Sequence, residues 1–266
     1  NNGSAAATMD IGVTTDTNKL ILDLPIAAYS SSTVGLSFYY MDHGDENHDG
    51  DKVWVRGSHA DPWVEVYDLD PESMTNGNYN YVNGIFINSE LANAGQTLTN
   101  EFQIMFGQSD NGFEATSPSG TDGITFDDIL VEEITCPWPT NVTASFVLDT
   151  MAIIDWTPIG TASNWTIIYD TVGFNPQTGG TSQNSTSAPD TIFGLTASTD
   201  YDFYIFSDCG GGTTSDTIGP ISFSTACAAI TSFPYVEGFS TWPPSCWDLT
   251  GGSETVVHYG GSSAEA

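Results

Sequence analysis

Leu195-Thr-Ala-Ser-Thr-Asp-Tyr201-Asp-Phe-Tyr-Ile-Phe206 is the stretch from which the rest of the chain is read. Turn-forming residues give way to an alternating run, the period expected of a strand with one buried face. Comparable runs lie on both sides: Met151-Ala-Ile-Ile-Asp-Trp156-Thr-Pro158, Trp165-Thr-Ile-Ile-Tyr169, Ile192-Phe-Gly-Leu195 and Ile221-Ser-Phe-Ser-Thr225. Each is short and bounded by turn residues, at the spacing of a β-sandwich. With Pro137-Trp138-Pro139 at its entrance, this unit is expected to occupy 136–227.

Composition agrees with an all-β fold. The 266 residues favour Thr, Ser, Gly, Asn, Asp and aromatics, and no long Ala/Glu/Leu/Lys run is present. Length alone allows about two domains, at roughly 100–200 residues each. The net charge of −31 comes from 34 acids set against three bases, Lys19, Lys52 and Arg56. Such a field repels phosphate backbones and anionic lipid, so nucleic acid and membrane surfaces are excluded as partners, while cations are favoured. No stretch approaches about 18 continuous apolar residues. Without a start Met or signal peptide, the sequence is expected to begin inside a longer polypeptide.

Cys136, Cys209, Cys227 and Cys246 are widely spaced and form no C-x-x-C pair. That suits two structural disulfides better than zinc or redox chemistry, with four buried thiols as the alternative.

Residues 1–135 form a different unit. Apolar alternation marks strands at 19–24, 34–40, 52–55, 63–67, 102–106 and 124–131, separated by longer loops. Residues 228–266 are too short to fold alone.

Two family resemblances organise these units. Trp156 on the second strand and the Leu195-to-Tyr201 spacing resemble the buried tryptophan and tyrosine corner of a fibronectin type III domain. That likeness covers about 90 residues. It implies that the sixth strand, carrying Tyr201, runs toward the end where the chain enters and brings Cys209 to Cys136. In the first unit Phe38-Tyr-Tyr-Met-Asp-His-Gly44, Asp51-Lys-Val-Trp-Val-Arg-Gly57, Phe102-Gln-Ile-Met-Phe-Gly-Gln108 and Asp122-Gly-Ile-Thr-Phe-Asp-Asp-Ile129 resemble MAM-like or cleaved-adhesin jelly-roll modules. Pro234-Tyr-Val-Glu-Gly-Phe239 and Trp242-Pro-Pro-Ser-Cys-Trp247 look like the opening of a second such module, with Cys227 and Cys246 pairing across its entry strand. The ends, Asn2-Gly-Ser-Ala-Ala-Ala7 and Gly260-Gly-Ser-Ser-Ala-Glu-Ala266, read as one phrase. The expectation is a tandem array of period roughly 260 residues, in which the first jelly roll lacks its first strands and neighbouring repeats are the partners. An ordinary boundary is the alternative.

Candidate sites are few. Asp45, Asn47, Asp49 and Asp51 alternate around Gly50, the spacing of the first half of a calcium loop, here expected in a hairpin between the 38 and 52 strands. Arg56 stands where the bidentate Glu of an EF-hand would be, so the choice lies between another calcium loop and a solvated acidic turn. In the resembling modules an aspartate pair such as Asp127 and Asp128 supports a structural calcium with an acid on the entry strand, a place Glu237 takes in the next module. Alternation would turn one of the two inward, requiring a cation or strong donors; an Asp capping a turn is the alternative. Trp54 and Trp63 are possible stacking platforms for a glycan ligand, or core residues.

Asp-Thr-apolar triplets place Thr150, Thr171, Thr191 and Thr217 in the pattern of a bacterial O-glycosylation signal. The four histidines show no ligand spacing, and no hydrolase or activated-cysteine motif is present. Non-catalytic work is therefore expected. The overall likeness is to giant repetitive adhesins exported by the type IX route, including those of gliding bacteria, which implies an extracellular, calcium-stabilised cell-surface filament. The competing reading is a set of polysaccharide-binding accessory modules of a secreted hydrolase.

Overall fold

The computed structural model describes residues 6–9, 16–43, 49–69, 78–110, 123–234, 236–238, 240 and 246–247. Among these residues the fold is all-β apart from one short helix and a 3-10 turn, and the chain divides into two compact units, Asn1–Thr135 and Cys136–Ala266.

The first unit contains β1 (Ala7–Met9), β2 (Asp16–Leu24), β3 (Val34–Asp42), β4 (Lys52–Arg56), β5 (Val64–Asp68), β6 (Asn80–Phe86), α1 (Ile87–Asn93), β7 (Phe102–Asp110) and β8 (Ile124–Glu133). Its sheets run β1-β8-β3-β6 and β2-β7-β4-β5, with every neighbouring pair antiparallel. Successive strands swap sheets except at the β4–β5 hairpin, the double Greek key of an eight-stranded jelly roll. The expectation of missing opening strands is corrected, because β1 and β2 fill the positions beside β8 and β7. Nor do β3 and β4 form a hairpin: they belong to different sheets.

Phe38 is the centre of this core. It is fully buried, meets Phe106 and Tyr67 edge-on at 5.3 and 5.9 Å, and lies 6.3 Å from Phe126. Bulges flank it on both sides. Ser37 opposes Asn83 and Gly84 on β6, where Gly84 takes φ 80, and Phe38 opposes Asp128 and Ile129 on β8, where Asp128 takes φ 47. A bulge puts two residues against one and resets the alternation. Phe126 and Ile129, three apart, therefore both pack on the core, and Asp127 and Asp128 both lie between core-facing positions. Of the two, Asp127 is buried, at 8% exposure, and Asp128 is half-buried. Helix α1 buries Ile87 and Leu91, one turn apart, and ends as Gly95 turns at φ 72.

The second unit contains β9 (Thr140–Val147), β10 (Met151–Thr157), β11 (Asn164–Thr171), β12 (Thr181–Ser185), β13 (Asp190–Phe193), β14 (Asp200–Asp208) and β15 (Ile218–Ser224). Sheets of order β13-β10-β9 and β12-β11-β14-β15 enclose Ile154, Trp156, Ile167, Ile192, Phe203 and Ile205. This three-plus-four sandwich is fibronectin type III-like. Tyr201 closes a tyrosine corner, its hydroxyl accepting from the Thr196 backbone N–H at 3.0 Å. Cys136, four residues before β9, bonds to Cys209 just past β14, and Cys227, three residues after β15, bonds to Cys246. The alternative of free thiols is thereby removed. The described residues of 228–247 contain no strand, so the proposed opening of a second jelly roll has no element there; 248–266 lie outside the described residues.

Phe38→Ala should cost about 3–5 kcal/mol of unfolding free energy, whereas Tyr201→Phe should cost only about 1 kcal/mol. Denaturant titration of the two variants measures both.

Candidate functional site

The residues with most chemistry share one sheet face. On β7 the side chains of Phe102, Ile104 and Phe106 pack into the core, so Gln103, Met105 and Gly107 take the outer face. On β4 Val53 and Val55 point inward, which puts Lys52, Trp54 and Arg56 outside. Register then lines up three rows across β2-β7-β4-β5. The first runs Lys19, Gly107, Lys52, Asp68; the second Ile21, Met105, Trp54, Glu65; the third Asp23, Gln103, Arg56, Trp63.

Gly107 is required by close approach, not by its backbone angles. A Cβ there would lie 2.5 Å from Trp54 Cζ3 and 2.7 Å from the Gly50 carbonyl oxygen, so only glycine fits beneath the indole and that backbone. Met105, the register partner of Trp54, is buried, while Ile21 at the edge is 44% exposed.

The third row is a continuous polar chain. Gln103 Nε2 donates to Asp23 Oδ1 at 2.6 Å, and Arg56 Nε donates to Gln103 Oε1 at 2.7 Å. The Arg56 guanidinium also donates to His59 O and stacks 4.4 Å above the Trp63 ring. His59 Nε2 is 2.9 Å from Asp23 Oδ1. The hydrogen bonds of His59 and then Gln103 hold the Asp23 carboxyl below its usual range. In the first row Lys52 Nζ pairs with Glu65 at 2.9 Å, which raises the lysine pKa. Each group holds its neighbour in place, so the face is preorganised.

The sequence singled out Trp54 and Trp63 here but not Lys19, Ile21, Asp23, Lys52, Arg56, His59, Gln103 or Gly107. The available signal was the three bases, all in or beside strand-like runs. The Arg56 guanidinium covers one face of Trp63.

The structure describes only part of the residues expected to hold calcium. Asp45 and Asn47 lie outside the described residues; Asp49 is exposed, and Asp51 is buried, accepting from Ser109 N at 2.6 Å. Asp127 Oδ1 accepts from the Asp128 N–H, and Glu237 belongs to the other unit. Among the described residues no group of three or more His, Cys, Asp or Glu is placed to hold a metal ion. Thr150, Thr171 and Thr217 are exposed, and Thr191 on β13 is half-buried. Among the described residues no helix is long and apolar enough to cross a membrane.

No family model matches this chain, and no curated protein matches it. Solved structures similar to it include the fn3 domain of human collagen alpha-1(XX) chain, at 18% identity over 37% of this chain and 92% of that chain, with a TM-score of 0.31. The FN5 domain of Drosophila Lar is 17% identical over 34% of this chain and 96% of that one, TM-score 0.29. The fibronectin type-III domain of human fibronectin type III domain containing protein 3 is 17% identical over 35% and 88%, TM-score 0.29. The fibronectin-like character of the second unit stands on its own strand order and tyrosine corner.

A carboxyl whose folded pKa is lowered adds stability above its unfolded value and loses it as pH falls through the folded one. For Asp23 that window lies below the ordinary 3.8. NMR titration should place the Asp23 midpoint under 3.8, and His59→Ala should move it upward.

Proposed function

We propose that this chain is a non-catalytic, structural and adhesive segment of a secreted cell-surface protein. The observation that carries the reading is where the first disulfide sits. Tension entering ahead of β9 passes from Cys136 across the sulfur bridge to Cys209 and leaves beyond β15. The intervening strands β9 to β14 are enclosed in a covalent loop and drop out of the force path. A sandwich protected in this way keeps most of its structure while its ends are pulled, which is what a tether requires.

Other features support an exterior setting. Disulfides persist in oxidising compartments. In the first unit Ile134 N still donates to Thr33 O, and in the second the bridge to Cys209 begins at Cys136. A base-poor, acidic surface tolerates high salt and attracts divalent cations. Tandem repetition, export by the type IX route, O-glycosylation at Thr150, Thr171, Thr191 and Thr217, and calcium at the 45–51 loop all belong to this proposal. The second reading, accessory modules of a secreted hydrolase that bind polysaccharide, is favoured by the aromatic and polar rows of the β2-β7-β4-β5 face.

Single-molecule pulling through the two chain ends tests the mechanical reading. The two disulfide loops have sequence separations of 73 and 19, so reductant should lengthen the extension by about 300–330 Å at roughly 3.3–3.6 Å per residue. Equal extensions with and without reductant would contradict it. Millimolar calcium should raise the melting temperature more than sodium chloride of matched ionic strength; equal effects would reduce the ion's role to screening.

A further inference from the structure

We propose that the outer face of β2-β7-β4-β5 binds an uncharged polysaccharide, with a pyranose ring stacked on Trp54. This rests on the adhesive reading above and names its surface and ligand.

Charge is the first argument. All three bases of the chain lie on this face, where Lys19, Lys52 and Arg56 stand beside three carboxylates, Asp23, Glu65 and Asp68. The rows are therefore neutral, while the remaining acids of the chain carry its whole net charge of −31. A neutral island in so anionic a molecule suits a ligand without charge. A polyanion would meet long-range repulsion from everything around the island.

Shape and polarity select a sugar over a protein. The apolar strip is one row deep, running from Ile21 across the buried Met105 to Trp54, and about 10 Å long at roughly 4.8 Å between strands. That is too narrow for the cluster of buried anchors on which a protein interface depends. A pyranose ring has an apolar C–H face with hydroxyls around its rim. Its face fits the partly exposed indole that Gly107 lets lie on the sheet. Its hydroxyls both donate and accept, so the flanking rows can meet them with Lys and Arg N–H groups on one hand and carboxylate oxygens on the other. Those groups are already held by the Lys52–Glu65 pair and the Asp23–Gln103–Arg56 chain, so little ordering is left for binding to impose.

The test is native electrophoresis of the whole 266-residue chain in gels containing β-glucan, galactomannan, glucomannan or, as the polyanion, polygalacturonate. At least one neutral polymer should retard the chain. Trp54→Ala should weaken that binding at least about tenfold, Trp54→Phe should keep part of it, and Gly107→Ala should weaken it by displacing the indole. Ile21→Glu, at an exposed edge position, should also weaken it without threatening the fold; unfolding midpoints checked alongside separate lost binding from lost structure. Failure of every neutral polymer to retard the chain, retardation by polygalacturonate alone, or undiminished binding by folded Trp54→Ala and Ile21→Glu variants would overturn the proposal. Should retardation fail while reductant still lengthens the pulled chain, this face is wrong and the structural reading stands. Trp54-dependent retardation without a reductant effect supports the face and sinks the mechanical reading.

Discussion

The pairing register of β4 with β7 is the constraint on which the first unit depends. Trp54 opposite Met105 places Val53, Val55, Ile104 and Phe106 in one core and leaves Lys52, Trp54, Arg56 and Gln103 together outside. A slip of one residue would exchange the two sets, exposing a continuous Val and Phe surface and burying two cations. Burial of the apolar set is therefore what aligns the polar rows. The candidate binding face is a by-product of core packing, refined by one glycine that admits the indole.

The two bulges beside Phe38 show how the opposite sheet meets the same demand by other means. Gly84 and Asp128 each insert an extra residue next to β3, so that Phe38 reaches the core centre while β6 and β8 continue in phase. Asp128 adopts a left-handed backbone that aspartate tolerates better than most side chains. The Asp127-Asp128 pair, conspicuous in the sequence, thus has a conformational role in the fold whether or not it also meets a cation.

Much of the second unit was legible because its strands are half-buried and alternate cleanly. Trp156, Leu195, Tyr201 and Phe203 announced themselves by spacing, and the pairing of Cys136 with Cys209 followed from the resemblance they carry. The strands that escaped notice lack such a pattern. β9 is largely exposed, β12 reads Thr-Ser-Gln-Asn-Ser, β6 is interrupted by Gly84, and β1 is three residues long. Missing β1 and β6 made the jelly roll look incomplete. The three-row face was invisible for a different reason: Lys19, Lys52 and Asp23 become neighbours only through long-range register, which composition and local period do not encode.

The register claim is most directly tested by proton NMR at Gly107. An indole lying over this residue should shift its Hα resonances strongly upfield by ring current, and Trp54→Ala should return them to ordinary β-sheet values. Ordinary Gly107 shifts in the unmodified protein, unchanged by that substitution, would contradict the placement of Trp54 and with it the alignment of the face.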